Sequence, residues 1–420
     1  MWIFGVSYVA VVPTANMLSF CGQQFAHKLP RLAGVLIEVA LGSLVEVILF
    51  VALLAGHPVG TEDGEGNEGD INVVEVIQAA ILGSILTNLL LCMGLCFFFA
   101  GLRTRVQKLH AVVSETGNGV LLVAAFGLLI PSAFYAALKT ETVAALGGER
   151  FTDHRLEADI MAISQATSVV LIFAFVMYIV YCSTTSHSIF DEVIHKDEMS
   201  DRDREEDHEK PKLTMTEAVA GLAMAIALVT LLLVYLVEQI EHVVASGVPD
   251  QFLGLILLPL VEKAAEQLTA IDDAWDGVIN VAMYHCLGPS IQTALFNGPL
   301  IVIIGWVFGQ PIDLNFEIFM VGLLVLSILV VGNFLRDGET NWLEGMLLVV
   351  SFANCYLRFH FEPLWLTQGQ IVYVIIAIAS FYYPDPDVAT SNGLHDVVTK
   401  NVTIPVELYQ QLLALYPQVS

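Results

Sequence analysis

The chain has 420 residues, of which 56% are apolar and only 14% charged, with a net charge of −26. A soluble protein of this size carries about 25% charged residues. That deficit, the clustering of the charges and a mean hydropathy of +0.71 exclude a water-soluble globular fold and predict an all-α polytopic membrane protein. The acidic surplus excludes a nucleic-acid partner and suits cations.

Apolar windows of about 20 residues, enough to cross a hydrocarbon core, fall at 2–20, 33–55, 73–101, 117–138, 161–182, 214–240, 251–271, 277–309, 316–334 and 343–383. The first, "WIFGVSYVAVVPTANMLSF", lacks the basic flank of a secretory signal and reads as a membrane segment. Several windows are longer than a straight crossing needs and read as tilted, broken or extended helices. Between them lie "TEDGEGNEGD" (Thr61–Asp70), with five acids and no base, and "DEVIHKDEMSDRDREEDHEK" (Asp191–Lys210), with ten acids and four bases. Both read as solvated loops. The last window is interrupted by "VSFANCYLRFHFEPLWLTQGQ" (Val350–Gln370), where Arg358, His360 and Glu362 do not suit a lipid-facing span. An insertion and a retained intron both explain that stretch. The division is a first membrane half at 1–182 with repeat 1 at 33–101, an acidic loop at 183–213, a second half at 214–384 with repeat 2 at 251–309, and a polar tail at 385–420. The tail holds a glycosylation sequon, Asn401–Thr403, and receives no role.

Numbering the loops alternately puts Lys28, Arg31, Arg103, Arg105, Lys108, Lys196, Arg202, Arg204, Lys210, Lys212 and Arg336 on one side, and Lys139, Arg150 and Arg155 on the other. The richer side is cytosolic by the positive-inside rule. The 183–213 loop is then cytosolic, and the chain starts on the opposite face, as a reverse anchor or after an upstream helix. Of the six cysteines, five lie in or beside apolar segments, with no CxxC pair and no zinc spacing, so they read as small core residues.

Two segments share a layout. "AGVLIEVALGSLVEVILF" (Ala33–Phe50) is followed by "QAAILGSILTNLLL" (Gln78–Leu91); "LGLILLPLVEKAAEQLTAI" (Leu253–Ile271) is followed by "NVAMYHCLGPSIQTALF" (Asn280–Phe296). Each pair offers a mid-span acid, Glu46 or Glu266, then a helix with Ser84 and Asn88 or Ser290 and Gln292. The loop count gives the pairs opposite orientations, which is an inverted repeat of the kind that builds transporter sites at the midplane. Carboxylates, hydroxyls, amide oxygens and unwound carbonyls are hard ligands for Ca²⁺ or Na⁺. Gly83, Gly288 and Pro289 are expected to break helices and free carbonyls. A carboxylate that takes either a proton or a metal ion is the basis of cation/proton exchange. His285 reads as a packed histidine or a proton relay, and Asp272, Asp273 and Asp276 as a solvated helix end or as acids that attract cations at the cytosolic entrance.

With "ILGSILTNLLLCMGLCFFFAGL" (Ile81–Leu102), "FLGLILLP" (Phe252–Pro259), "SIQTALF" (Ser290–Phe296) and "FLRDGETNWLEG" (Phe334–Gly345), the chain resembles the cation/proton exchanger branch of the calcium/cation antiporter superfamily over roughly residues 5–385. It looks like a divergent fungal vacuolar member. The resemblance implies an inverted-repeat fold of ten or eleven helices and a central site in which Glu46 and Glu266 hold the metal ion or protons. By the same matching, Ser43, Ser84, Asn88, Ser290 and Gln292 are further ion- or proton-binding candidates. Where that family usually has Gly-Asn-Ala-x-Glu, this chain has "GSLVE", with Ser43 for Asn, and "EKAAE", with Glu262 and Lys263 for Gly-Asn; Gln267 stands where a His is common, Glu38 replaces another Asn and Pro289 replaces a Ser. Glu38, Glu262 and Lys263 are therefore expected to modulate the site.

Lys263 and Glu266 are i,i+3 neighbours and Glu262 and Glu266 i,i+4. Lys263 reads as a tethered cation that competes with the transported ion, as a group that itself takes and releases a proton, or as a static salt bridge to Glu262. The resulting expectation is a secondary active cation/proton antiporter, Ca²⁺/H⁺ by family default, in the vacuolar membrane. The alternatives are monovalent (Na⁺ or K⁺)/H⁺ exchange and a non-transporting regulatory paralogue. No HExxH or paired-aspartate signature suggests an enzyme. No cofactor is expected beyond the transported cation and H⁺. The partners are the lipid bilayer, cations and protons, with a homo-oligomer left open.

Overall fold

The computed structural model describes residues 2–26, 40–56, 73–144, 153–184, 213–244 and 252–360, with 28, 29, 37 and 248. Glu38, both acidic loops, Glu362 and the tail from Asp385 lie outside them, as do the side chains of Arg358 and His360. The described chain is almost wholly helical.

The first half runs α1 (Trp2–Ala26), α2 (Leu44–Gly56), α3 (Val73–Leu86), a π-turn at Thr87–Cys92, α4 (Met93–Arg103), α5 (Ala111–Ala144) and α6 (Asp153–Thr184). The second runs α7 (Met215–Glu238), α8 (Ile240–Val244), a π-turn at Leu253–Leu257, α9 (Leu258–Asp276), α10 (Ile279–Gln292), a π-turn at Thr293–Asn297, α11 (Gly298–Phe308), α12 (Ile318–Leu335) and α13 (Trp342–His360). A two-residue antiparallel ladder, Gln107–Lys108 with Glu339–Thr340, ties the loop after α4 to the loop before α13. Local signals set the ends. Thr214 and Glu217 form a reciprocal capping box that starts α7. Gly277 (φ 100°) ends α9 in the left-handed conformation, its N–H on the Asp273 carbonyl.

Seven segments of the described chain are long and apolar enough to cross a membrane: Trp2–Ala26, Val73–Arg103, Val113–Ala137, Ala158–Cys182, Met215–Glu238, Ile279–Phe308 and Ile318–Leu335. α2 and α13 are shorter apolar helices. α9 has the length, but Glu262, Lys263, Glu266 and its terminal aspartates remove it from a set chosen by composition. The outer helices present apolar residues outward: on α6, Val169, Val170, Phe173, Val176 and Met177 are all exposed, a stripe at helical spacing that water would not tolerate. Ser164 and Ser168 on the same helix turn inward and are fully buried. The protein is an integral membrane protein.

The packing maps onto itself when the halves are exchanged. α1 packs on α7 and α5 on α12, pairs that swap into themselves. The contact of α4 with α13 recurs as α11 with α6, α1 with α9 as α7 with α2, α10 with α5 as α3 with α12, and α9 with α4 as α2 with α11. Among the described residues the two halves offer matching helices in the same order. The long windows thus resolve into helices bent at π-turns. The spans Val73–Arg103 and Ile279–Phe308 are the most enclosed, 72% and 56% buried against 22% for Trp2–Ala26.

Gly83 and Gly288 differ from the expectation that both break helices. α3 and α10 run unbroken past them and loosen at Thr87 and Thr293, three residues after Ser84 and Ser290. Gly83 instead serves a backbone crossing: a Cβ there would lie 2.0 Å from the Leu255 carbonyl oxygen. Gly254 meets α3 from the other side, 2.6 Å from the Val76 carbonyl oxygen. Only glycine allows so close an approach. It holds the start of the Glu266-bearing helix against α3.

Candidate cation site

Glu46, at the start of α2, is fully buried. Its Oε2 accepts hydrogen bonds from Thr293 Oγ1 (2.9 Å) and Asn297 Nδ2 (2.7 Å), both on the third π-turn. The same oxygen lies 3.2 Å from Lys263 Nζ on α9. Lys263 Nζ also lies 3.9 Å from Glu266 Oε2, one turn along its own helix. The ammonium therefore bridges the acids of the two repeats. The expected alternative partner was Glu262, but the pair forms across helices, because Glu46 projects from the other half toward the Lys263 face of α9. Glu262 is 4% exposed and within electrostatic reach of Glu46, Lys263 and Glu266.

The polar groups around these charges are unevenly satisfied. Glu46 Oε1, both Glu262 oxygens, Glu266 Oε2, Thr87 Oγ1 and Asn297 Oδ1 are buried without a hydrogen-bond partner. Leaving a buried acceptor unpaired costs about 1–3 kcal/mol, more when it is charged. Most of these oxygens belong to one cluster, and all are hard donors, the chemistry that Ca²⁺ selects. The donor set fits a cation.

The remaining candidates divide. Asn88 accepts a hydrogen bond from Gln267 Nε2 at 3.3 Å, joining the first π-turn to the residue beside Glu266. Ser84 Oγ lies 3.5 Å from Thr293 Oγ1 and so touches the Glu46 donor network. A Cβ on Gly42 would fall 3.9 Å from Glu266 Oε1 and 4.0 Å from Gln292 Oε1, which puts the Gly42–Ser43 turn and Gln292 at the site. Ser43 is buried and donates to the Ala40 carbonyl at 3.2 Å, while Ser290 donates to the Cys286 carbonyl at 2.8 Å. Both hydroxyls bond back into their own backbone. Glu38 lies outside the described residues. Two groups that hold Glu46, Thr293 and Asn297, were missed. Their signal was present: Thr87 and Thr293 recur at the same offset from Ser84 and Ser290, and Asn297 follows Ser290 by two helical turns.

Toward the end of α9, the acids have partners of their own. Arg103, closing α4, donates to the Trp275 carbonyl (2.7 Å), pairs with Asp276 (3.4 Å) and stacks over the Trp275 ring at 5.1 Å. His285 Nε2 lies 3.6 Å from Asp273 Oδ2. Asp276 and Asp273 therefore take part in ties between the halves and along the α9–α10 hairpin. In the loop after α11, burial raises the Asp313 carboxyl above its ordinary range, although Gln78 Nε2 (2.8 Å) and the Asn315 N–H (3.1 Å) bond it.

A family model described as sodium/calcium exchanger protein matches residues 1–184 and 217–361. The "vacuolar calcium ion transporter" of Schizosaccharomyces pombe is 30% identical over 86% of this chain and 79% of its own length. The "vacuolar cation/proton exchanger 2" of Arabidopsis thaliana is 30% identical over 85% of this chain and 74% of its own. Among solved structures, native YfkE superposes with a TM-score of 0.63 at 22% identity, covering 85% of this chain and 91% of that one, a likeness of fold.

Proposed function

The chain belongs to the sodium/calcium exchanger protein family, and we propose that it works there as a secondary active Ca²⁺/H⁺ antiporter of the vacuolar membrane. One observation carries this reading. Glu46 and Glu266 flank a single ammonium with Glu262 in electrostatic reach, and several buried carboxylate oxygens lack a hydrogen-bond partner. With all three carboxylates ionised and Lys263 charged, the groups sum to −2. One Ca²⁺ or two protons neutralise that sum. A low-dielectric site tolerates little net charge, so filling by one species requires release of the other. The relatives named for calcium transport and cation/proton exchange support Ca²⁺ over the monovalent and non-transporting alternatives. Those named vacuolar support the vacuole, whose acidity would drive Ca²⁺ inward.

In this mechanism Glu46 and Glu266 alternate between cation and proton. Thr293 and Asn297 hold Glu46 oriented, so binding needs little rearrangement. Lys263 occupies the carboxylates between cations. α2 and α9, which carry the acids on matched repeats, move against the rest to expose the site to each side in turn.

The test is a vesicle assay. Acid-loaded vesicles containing the protein release protons when Ca²⁺ is added outside, and Glu266→Gln abolishes the release. Unchanged release in that variant, folded normally, would remove Glu266 from the site.

A further inference from the structure

Next to the carboxylate cluster the chain gathers a second set of ligand atoms with the opposite chemistry. Cys92 closes the first π-turn, Cys96 lies one turn on in α4, and Cys286 lies on α10 of the other half. The Cys286 sulfur is 3.4 Å from that of Cys92 and 3.9 Å from that of Cys96, and all three lie within 4.8 Å of one another. All are buried and all are free thiols. We propose that Cys92, Cys96 and Cys286 form a site for a thiophilic divalent cation such as Cd²⁺ or Zn²⁺, and that its occupation arrests exchange.

The geometry suits such an ion with only a small outward shift of one sulfur. Zinc–thiolate bonds of about 2.3 Å place sulfurs roughly 3.8–4.0 Å apart; the Cys286–Cys96 separation matches that spacing and the Cys286–Cys92 separation falls a few tenths of an ångström short of it. Soft thiolates select these ions, whereas the oxygen cluster selects Ca²⁺. Each thiol that ligates gives up its proton. Access follows from position: Cys92 shares its π-turn with Asn88, whose side chain meets Gln267 beside Glu266. An ion that reaches the carboxylates is one helical turn from the sulfurs. The arrest follows from connectivity. Cys92 and Cys96 belong to the first half and Cys286 to the second, so a metal bound by all three clamps the first π-turn to α10 and fixes Asn88, the partner of Gln267 on the moving α9. This consequence rests on the exchange reading; the binding does not.

The purified, reduced full-length protein is titrated with Cd²⁺ alone and followed by its ultraviolet thiolate-to-metal charge-transfer band. The expected result is one Cd²⁺ per chain, a band lost in C286S and in C96S and retained in E266Q. Absence of the band, its survival in C286S, or formation of a Cys92–Cys286 disulfide on air exposure in place of metal binding would overturn the site. In vesicles, Cd²⁺ should inhibit Ca²⁺-driven proton release by the wild type but not by C286S, which keeps its own Ca²⁺ response. Full Cd²⁺ occupancy with undiminished release would overturn the arrest.

Discussion

Replacing Lys263 by Gln tests the central electrostatic claim. Its ammonium lies 3.2 Å from Glu46 and 3.9 Å from Glu266. At an effective dielectric near 20, these contacts are worth about 5 and about 4 kcal/mol of attraction. A cation on the same carboxylates would sit about 4 Å from the ammonium, repelled by about 4 kcal/mol if monovalent and about 8 if divalent. The side chain can swing aside, so only part of this reaches the measured affinity. If a quarter does, K263Q gains about 2 kcal/mol for Ca²⁺ and about 1 for Na⁺; at 1.4 kcal/mol per decade, the half-saturating Ca²⁺ falls more than tenfold and that for Na⁺ about fivefold. The assay is cation-driven proton release from acid-loaded vesicles across a concentration series of each ion. K263R, which keeps the charge, should stay near the wild type. A second readout separates function from folding. Without Ca²⁺, K263Q leaves its buried acids uncompensated, a loss of about 3–5 kcal/mol for a buried pair, so its melting temperature should drop and recover on adding Ca²⁺. An unchanged or higher half-saturating Ca²⁺ in well-folded K263Q would refute competition and reduce Lys263 to a structural tie.

Further outcomes follow from the contacts around the site. Asn297→Ala removes a 2.7 Å donor from Glu46, and a bond to a charged group is worth about 1.5–3 kcal/mol; Ca²⁺ affinity in the vesicle assay should weaken by at least tenfold. Gly254→Ala forces a Cβ to 2.6 Å from a backbone oxygen and should destabilise the detergent-solubilised protein by about 1–3 kcal/mol, whereas Gly288→Ala, which meets nothing within 4 Å, should leave the melting temperature unchanged. For Asp313 the sign runs through its raised carboxyl. The folded state holds the proton more tightly than the unfolded state, so its contribution to stability is present below the unfolded value of 3.8 and is lost as pH rises through the folded value. Asp313→Asn should therefore flatten the pH dependence of the melting temperature above that value, and a steeper dependence would count against the assignment.

The fold was legible because a membrane enforces its rules strongly. Uninterrupted apolar stretches marked the crossings, and Glu46 and Glu266 stood out as intramembrane charges at matched positions. Two kinds of feature were not legible. The first is pairing across the repeat: the i,i+3 spacing pointed to Glu266 and adjacency suggested Glu262, yet the shortest contact of Lys263 is with Glu46, more than 200 residues away. The second is the role of ordinary-looking residues. Gly83 reads as a helix breaker but works as a crossing point, because what matters is the carbonyl of Leu255 on its other side. Thr293 and Asn297 read as one polar turn in an apolar helix until Glu46 arrives from α2. The three cysteines have no ligand spacing because the third comes from the other half.

Symmetry of scaffold and asymmetry of charge together account for the site. The helix packing exchanges cleanly between halves, and each half supplies one acid to the midplane. A site with Glu46 and Glu266 alone would already sum to −2 and balance one Ca²⁺. The second repeat adds Glu262 and Lys263, which leave that sum unchanged while placing a cation permanently beside the acids. The added pair therefore alters how the site is occupied rather than how much charge it can exchange. Removing Lys263 alone raises the sum to −3, so coupling should shift from two protons per Ca²⁺ toward three, whereas K263A combined with E262A should restore two. A measured coupling that ignores both changes would mean that neither Glu262 nor Lys263 enters the charge balance, which would then rest on Glu46 and Glu266 alone.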